Sequence, residues 1–276
     1  MFHPTILFIC FFTFIIHMTE SLAYSMRLAG VRTRQIAIAM AFVTSTLLVS
    51  RLSNMFQAPL LGTLVDKSIL DGTEAALSVL EDQFRLVIFA AFCGAFAGAF
   101  FTPTAVSLFK KAITRFKHHG SVPRLAVSAL YPPTFWKILK EFRFPRLSML
   151  KGITLKGVPK GFLVFNVFVT SIYSIGVLCS LLAGAYIPEF RSTAIQLSGI
   201  VNGMATVMFT IFVDPPGARV TDQAVNGVLT DQHVRGVVLC LQLGKMLGTL
   251  IVAQLLFKPL AHYIMFVTEL LSKTVS

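Results

Sequence analysis

Residues 14–28 read FIIHMTESLAYSMRL and continue an apolar run that begins at Ile6. The run is long enough to cross a membrane, for which a helix needs roughly 20 apolar residues. It nevertheless contains His17, Glu20 and Arg27. A charge at the centre of a bilayer costs about 2.5–3.5 kcal/mol. These side chains are therefore expected to face protein or water rather than lipid.

Similar apolar runs recur along the chain of 276 residues, of which 55% are hydrophobic and 13% are charged. Soluble domains usually carry about a quarter charged residues, and a backbone inside a bilayer satisfies its own polar groups by forming helices. The sequence therefore predicts an all-α, polytopic integral membrane protein that forms a single membrane domain over residues 1–276. Six transmembrane helices are predicted at residues 5–26, 35–57, 86–109, 161–185, 193–213 and 237–260, the last continuing as an interfacial helix to about 271.

The basic residues are distributed unequally between the loops. Seventeen of the 24 Lys and Arg residues fall in the loops that follow spans 1, 3 and 5. Loops rich in Lys and Arg face the cytoplasm, so both termini are predicted to lie outside. The net charge of +12 follows from this bias, and nucleic acid is not an expected partner. Most of it lies in a basic cytoplasmic loop at residues 110–160. There, residues 134–143 are predicted to form an amphipathic helix on anionic membrane lipids, with an ordinary topology anchor as the alternative.

One face of the first span is polar. Successive residues of an α-helix advance by about 100°, so His17, Glu20, Tyr24 and Arg27 lie within about 80° of one another. Lys245 lies well inside the sixth apolar run and needs a carboxylate, backbone carbonyls or an anionic ligand. Glu20 is at a matching depth. A structural Glu20–Lys245 pair is therefore one interpretation, and a functional anion site is the other.

Spans 2 and 5 also carry polar residues. Arg51 and Asn54 lie on a slanting polar edge, where Arg51 either snorkels to the headgroups or lines a water-filled cavity. Gln196 and Asn202 either face the same cavity or belong to a packing seam of small residues in span 5. Gly94 and Gly98 form a GxxxG arrangement in span 3, which predicts close helix packing. A positive, hydrated cavity of this kind suits an anionic headgroup, because phosphates prefer Arg and Lys donors.

The sequence lacks the common catalytic and nucleotide-binding motifs. It contains no GxxxxGK[ST], no HExxH and no GxSxG, so neither an ATP motor nor an enzyme is indicated. The four cysteines each lie in a different apolar segment, and neither a metal site nor a cofactor is expected.

Three stretches resemble the Amj family of alternative lipid II flippases. They are FTFIIHMTESLAYSMRLAGVRTRQIAIA, LLVSRLSNMFQAPLLGTLVD and EFRSTAIQLSGIVNGMATVMFTIFVDP, which belong to spans 1, 2 and 5. The resemblance implies a multi-pass protein of the bacterial cytoplasmic membrane. It would move lipid II, the undecaprenyl-pyrophosphate-linked peptidoglycan precursor, from the inner to the outer leaflet for cell wall synthesis. A transporter of another polyprenyl-linked saccharide or amphipathic anion is the alternative.

The resemblance carries no residue roles, so the site hypothesis comes from the helical faces. Arg27 and Lys245 would receive the pyrophosphate from the cytoplasmic side, and Arg51 would engage it nearer the outer side. Contacts to sugar or peptide are expected from Asn54, Gln196 and Asn202. His17 and Glu20 would compensate these cations in the empty site or couple transport to protons or membrane potential. A lateral opening is expected for the lipid tail.

Overall fold

A computed structural model describes residues 4–121, 124, 127–128, 131, 136, 140–145, 151–159 and 161–275, with the side chains at 117–119 and 274–275 excepted. The regular structure of these residues is entirely helical. Six of the described helical stretches are long and apolar enough to cross a membrane, which confirms the predicted number. These spans are Pro4–Thr33, Ile36–Asp71, Glu74–Phe100, Gly161–Tyr186, Pro188–Val225 and Asp231–Lys273.

Span 1 is interrupted near its end. Helix α1 covers Pro4–Tyr24 and helix α2 covers Met26–Thr33, with a turn at Ser25 between them. The Ser25 hydroxyl donates a hydrogen bond to the Leu22 carbonyl at 2.6 Å. Such a local bond satisfies backbone acceptors where the helical ladder is broken. The chain therefore remains helical for seven residues beyond the predicted end at residue 26 and places Arg27 on the second helix.

Span 2 is a single helix, α3, that runs from Ile36 to Asp71. Its 36 residues correspond to roughly 54 Å, well beyond a hydrocarbon core of about 30 Å. The predicted end at residue 57 is therefore too early. Pro59 lies inside the helix, where it removes a backbone donor. The helix continues because Leu61, Leu64 and Val65 are buried on one face, and that packing outweighs the local cost of the proline.

Span 3 begins earlier and ends earlier than predicted. Helix α4 covers Glu74–Phe100, and the Thr73 hydroxyl caps its first turn by accepting a bond from the Ala76 amide at 3.1 Å. Helix α5 then covers Thr102–His119, with Pro103 in its first turn, where a proline is tolerated. The basic loop therefore begins inside an amphipathic helix, because α5 buries Val106 and Ile113 and exposes Lys110 and Lys111.

The second half of the chain contains spans 4 to 6. Span 4 is helix α6, whose bounds Gly161–Tyr186 agree with the prediction to within one residue. Span 5 and span 6 each include a turn of π-helix and extend beyond their predicted ends. Span 5 comprises a 3₁₀ turn at Pro188–Phe190, α7 at Arg191–Met208, a π-helix at Phe209–Val213 and α8 at Asp214–Val225. Span 6 comprises α9 at Asp231–Leu247, a π-helix at Gly248–Val252 and α10 at Ala253–Val275.

Helices α1 and α6 form the centre of the bundle. Helix α1 packs closely on α4, because Gly94 and Gly98 let the two backbones approach. A Cβ at residue 98 would lie 2.6 Å from the Ser21 Cβ and 2.7 Å from the Met18 carbonyl oxygen. The packing role predicted for this GxxxG arrangement is confirmed. Helix α6 contacts α3, α4, α7, α9 and α10, so the polar residues of spans 1, 2, 5 and 6 surround it.

Ion pairs join the helices at both ends of the bundle. At one end, Arg32 Nε donates to Asp231 Oδ1 at 2.9 Å. At the other end, Lys258 Nζ lies 2.6 Å from Glu81 Oε2. The predicted interfacial helix at 134–143 lies mostly outside the described residues. Within it the described residues Trp136 and Lys140 are helical, Glu141 forms a turn, and residues 142–145 are not helical.

Candidate functional site: two connected polar cavities

The bundle contains a polar cavity around Glu20, which we call the Glu20 cavity. Its volume is about 320 Å³, within the usual range for small-molecule sites. Spans 1, 2, 4, 5 and 6 all contribute to its wall. The lining residues are Glu20, Ala23, Tyr24, Arg27, Met40, Val43, Leu47, Val169, Thr170, Tyr173, Ser174, Ala205, Thr206, Phe209, Asp214 and Lys245.

A second cavity of about 150 Å³ adjoins the first, and we call it the Arg51 cavity. The two cavities share Glu20, Tyr173 and Ser174, so they meet at the carboxylate. Thr13 lines the second cavity and Arg27 lines the first. These positions are separated by roughly 21 Å of helix, a large part of a hydrocarbon core of about 30 Å. The two adjoining cavities therefore place polar groups along much of the depth of the bundle.

An ion pair between Glu20 and Lys245 lies where the cavities meet. Lys245 Nζ donates to Glu20 Oε2, and the side chains are 15% exposed for Glu20 and 4% exposed for Lys245. The Ser50 hydroxyl donates to Glu20 Oε1 at 3.2 Å, so both carboxylate oxygens are engaged. His17 Nδ1 lies 3.9 Å from Glu20 Oε2 and, among the described residues, has no hydrogen-bond partner. The predicted pair is present, and the histidine lies beside it.

Arg27 is also held by a carboxylate, one that the sequence analysis did not identify. Its Nη2 donates to Asp214 Oδ1 at 2.7 Å, with the arginine 11% and the aspartate 46% exposed. Asp214 begins helix α8, directly after the π-helix of span 5. The sequence signal was the DPP triplet, since acidic residues and prolines are both favoured in the first turn of a helix.

The Arg51 cavity brings together most of the predicted residues of spans 1, 2 and 5. Arg51 and Asn54 are exposed side chains that line it, and Arg51 forms no ion pair within the described part of the chain. Asn202 also lines it, with a buried Oδ1 that accepts no hydrogen bond from any described residue. The Asn202 oxygen lies against Gly176, whereas the exposed Arg51 and Asn54 side chains suit water or a polar ligand.

Gln196 does not reach either cavity. It is exposed on α7, which buries Ala194, Leu197 and Ala205. Six residues separate Gln196 from Asn202, which places the two amides about 120° apart around the helix. Only one of them can face the cavity, and the expectation for Gln196 is corrected. The proposed packing seam around it is also exposed, because a Cβ at Gly199 or Gly203 would meet no atom within 4 Å.

Span 4 supplies lining residues that the sequence analysis missed. Tyr173 and Ser174 lie on the shared boundary of the two cavities, and Thr170 lines the Glu20 cavity. The available signal was the run NVFVTSIYS, whose polar residues recur at helical spacing in an otherwise apolar span. Asn166 begins this polar face but packs elsewhere, donating to the Leu241 carbonyl at 2.9 Å.

The Glu20 cavity is bounded on one side by α3 and α7. Both helices are fully described, and they scarcely touch, because α7 packs mainly on α6. One side of the gap presents Met40, Val43 and Leu47, and the other presents Thr206 and Phe209. The walls are therefore largely apolar, whereas the cavity behind them contains the ion pairs.

Comparison with known proteins identifies similar sequences. The family model described as "Amj: Alternate to MurJ" matches residues 12–268. The protein named "Lipid II flippase Amj" from Bacillus subtilis (strain 168) is 37% identical over 265 residues, which cover 96% of this chain and 97% of that protein. No solved structure matches the chain significantly.

Proposed function

Because this chain belongs to the Amj family, we propose that it is a lipid II flippase of the bacterial cytoplasmic membrane. It moves the undecaprenyl-pyrophosphate-linked precursor of peptidoglycan from the inner to the outer leaflet. The protein is a multi-pass transporter rather than an enzyme, and it works by alternating access without hydrolysing ATP. The observation that carries the proposal is the pair of connected cavities with charged walls and an apolar lateral gap.

The chemistry of the cargo requires these features. Lipid II combines a diphosphate, a large sugar–peptide head and a long polyprenyl tail, and transferring the head through hydrocarbon without compensation is prohibitive. The Glu20 cavity offers Arg27 and Lys245 as donors for a diphosphate. The gap between α3 and α7 has apolar walls, so the tail can remain in lipid while the diphosphate lies in the cavity.

We propose that the basic end of the bundle faces the cytoplasm and that both termini lie outside. Arg32, Lys110, Lys111 and Arg235 belong to this end, as does Arg143. Cytoplasmic loops carry the excess of Lys and Arg. In this orientation Arg27 and Lys245 receive the diphosphate first, and Arg51 engages it nearer the outer side.

The remaining polar groups have supporting roles in this proposal. Asn54 and Asn202 contact the sugar or peptide, because they line the Arg51 cavity. Glu20 and Asp214 neutralise their basic partners when the site is empty, and His17 adjoins the Glu20 carboxylate. The cargo diphosphate must replace these carboxylates, which makes binding an exchange of anions rather than the burial of a new charge.

The test uses cells in which this protein is the only candidate lipid II flippase. A toxin that cleaves lipid II is added outside, and cleaved lipid II is measured. Wild-type protein is expected to expose lipid II to the toxin, whereas Arg51→Ala and Lys245→Ala abolish cleavage. Arg124→Ala is the matched control, because Arg124 is an exposed arginine of the basic segment. Membrane levels of each variant are measured in the same cells.

Two results would contradict parts of the proposal. If lipid II stays uncleaved by the toxin in cells that contain folded wild-type protein, lipid II is not the cargo and another polyprenyl-linked saccharide is favoured. Wild-type cleavage by both cavity variants would leave the cargo assignment intact but remove Arg51 and Lys245 from the site.

A further inference from the structure

A third cavity lies on the opposite side of α2 from the transport route, and we call it the arginine cavity. Its volume is about 460 Å³, and Arg32, Arg143 and Arg235 line it. It shares no described lining residue with the Glu20 cavity or the Arg51 cavity. The proposed transport route therefore does not account for it.

The arginine cavity has an excess of positive charge. Arg32 and Arg235 both bind one carboxylate, that of Asp231, through bonds of 2.7–2.9 Å. An adjoining space shares Arg32 and Arg143 and adds Lys110 and Lys111. Glu141 binds Lys111 and is the only acidic residue between positions 82 and 189. Among the described residues, five cations thus share two carboxylates, and the excess positive charge favours binding of an anion.

Much of the remaining wall is apolar. Leu28, Val106, Val238, Leu239 and Ile153 line the cavity beside the arginines. A site for a free inorganic anion would be polar throughout, because apolar surface gives no favourable contact to a small hydrated ion. Cations next to aliphatic side chains instead match an amphiphile that has a phosphate head and a hydrocarbon chain.

The segment that carries Arg143 is hydrogen-bonded to α5. The Arg143 amide donates to Thr104 Oγ1 at 2.9 Å, and the same hydroxyl donates to the Arg143 carbonyl at 3.2 Å. Phe142 and Phe144 flank the arginine, are 41% and 66% exposed, and contact each other with ring centroids 4.8 Å apart. Exposed aromatic rings beside a cation are typical of the membrane interface.

We propose that the arginine cavity binds an anionic phospholipid, with its phosphate on Arg143 and Arg235 and the start of an acyl chain along Val106 and Leu239. This site is separate from the cargo route. Its occupant is a resident lipid rather than a transported one, since the two sets of lining residues are distinct. The bound lipid would supply the anion that the cationic wall lacks.

Native mass spectrometry of the purified protein in detergent tests the proposal, because it depends on neither orientation nor cargo. The probes are dioleoylphosphatidylglycerol, dioleoylphosphatidylcholine and inorganic phosphate. Wild-type protein is expected to retain phosphatidylglycerol over phosphatidylcholine, and Arg143→Gln combined with Arg235→Gln weakens this retention at least about tenfold. Arg115→Gln combined with Arg124→Gln has the same net charge and leaves retention unchanged, since both side chains are exposed outside the cavity.

A second variant tests the acyl-chain part of the site. Leu239→Trp fills the space beside the apolar wall without changing the charge. It is expected to weaken phosphatidylglycerol retention about tenfold and to leave the melting temperature unchanged. Equal losses of phosphatidylglycerol retention in the double variant of the cavity and in the double variant used as control would show non-specific electrostatic attraction and overturn the proposal. Displacement of the lipid by millimolar inorganic phosphate, together with normal retention in Leu239→Trp, would identify a free-anion site and overturn it as well.

Discussion

The buried ion pair between Glu20 and Lys245 is the most informative place to perturb this protein, because structural and transport roles predict different outcomes. Three variants separate them: Lys245→Met, Glu20→Gln, and the two combined. Removing one member of a buried ion pair typically costs about 3–5 kcal/mol, because the other charge is left without a partner. Replacing both members by neutral groups of similar shape is often close to neutral.

The structure predicts which of the two single variants loses more stability. Glu20→Gln leaves an ammonium that is 4% exposed and loses its carboxylate, so its cost lies near the upper end, about 5 kcal/mol. Lys245→Met leaves a carboxylate that is 15% exposed and still accepts a bond from the Ser50 hydroxyl at 3.2 Å, so its cost is nearer about 3 kcal/mol. Both changes lower the melting temperature on the order of 10 °C, whereas the combined variant melts close to wild type.

Circular dichroism melts of the purified proteins in one detergent measure stability, and the toxin assay measures transport. The combined variant is expected to be stable but unable to expose lipid II, because the cavity has lost both the cation that receives the diphosphate and its counter-charge. Wild-type transport by the combined variant would show that the pair only joins α1 to α9. Wild-type melting of both single variants would show that the charges are solvated, which would refute the buried pair on which the magnitudes rest.

Three further predictions address packing, the lateral gap and pH. Gly98→Val should destabilise the protein by about 1–3 kcal/mol in detergent melts, because the added atoms overlap the α1 backbone. Gly203→Ala, whose Cβ meets nothing within 4 Å, is the control. Thr206→Trp should block toxin access to lipid II by filling the gap, whereas Val207→Trp, which is 56% exposed and lies outside the cavity lining, should not. Hydrogen bonds from a lysine and a serine of α5 lower the pKa of the Glu141 carboxyl. These bonds are fully present above its ordinary pKa of 4.5 and are lost as the pH falls through the lowered value. Hydrogen-exchange protection of residues 140–145 should therefore fall in acid, and constant protection would contradict the role of these bonds.

The sequence predicted where the chain crosses the membrane better than where its helices end. Span 4 was predicted to within one residue, because apolar length alone defines it. Span 2 was predicted to end at residue 57, two residues before Pro59. The structure continues it to Asp71 because Leu61, Leu64 and Val65 pack into the core. Tertiary burial of this kind is not visible from one helix considered alone.

The candidate site shows the same division between local and non-local information. Helical spacing placed His17 and Glu20 on one polar face, because the angle between neighbours is set within one helix. Arg27 lines the Glu20 cavity although it lies on α2, beyond the turn at Ser25. Asp214 was missed because its role depends on a partner 187 residues away. Gln196 was placed wrongly because the orientation of α7 is fixed by its contact with α6. Which face a helix turns inward is a property of the whole bundle.

The positions of the two π-helices follow a pattern that matters for transport. One ends directly before Asp214, and the other begins three residues after Lys245. Each therefore adjoins a charged residue that, in the proposed transport cycle, exchanges its partner when a diphosphate binds. A π-turn carries weaker and longer-range backbone bonds than an α-turn and is frequent at functional sites. Rearranging such a turn can move one charge without repacking a whole span, so we expect the local motion of the proposed transport cycle to occur at these two π-helices.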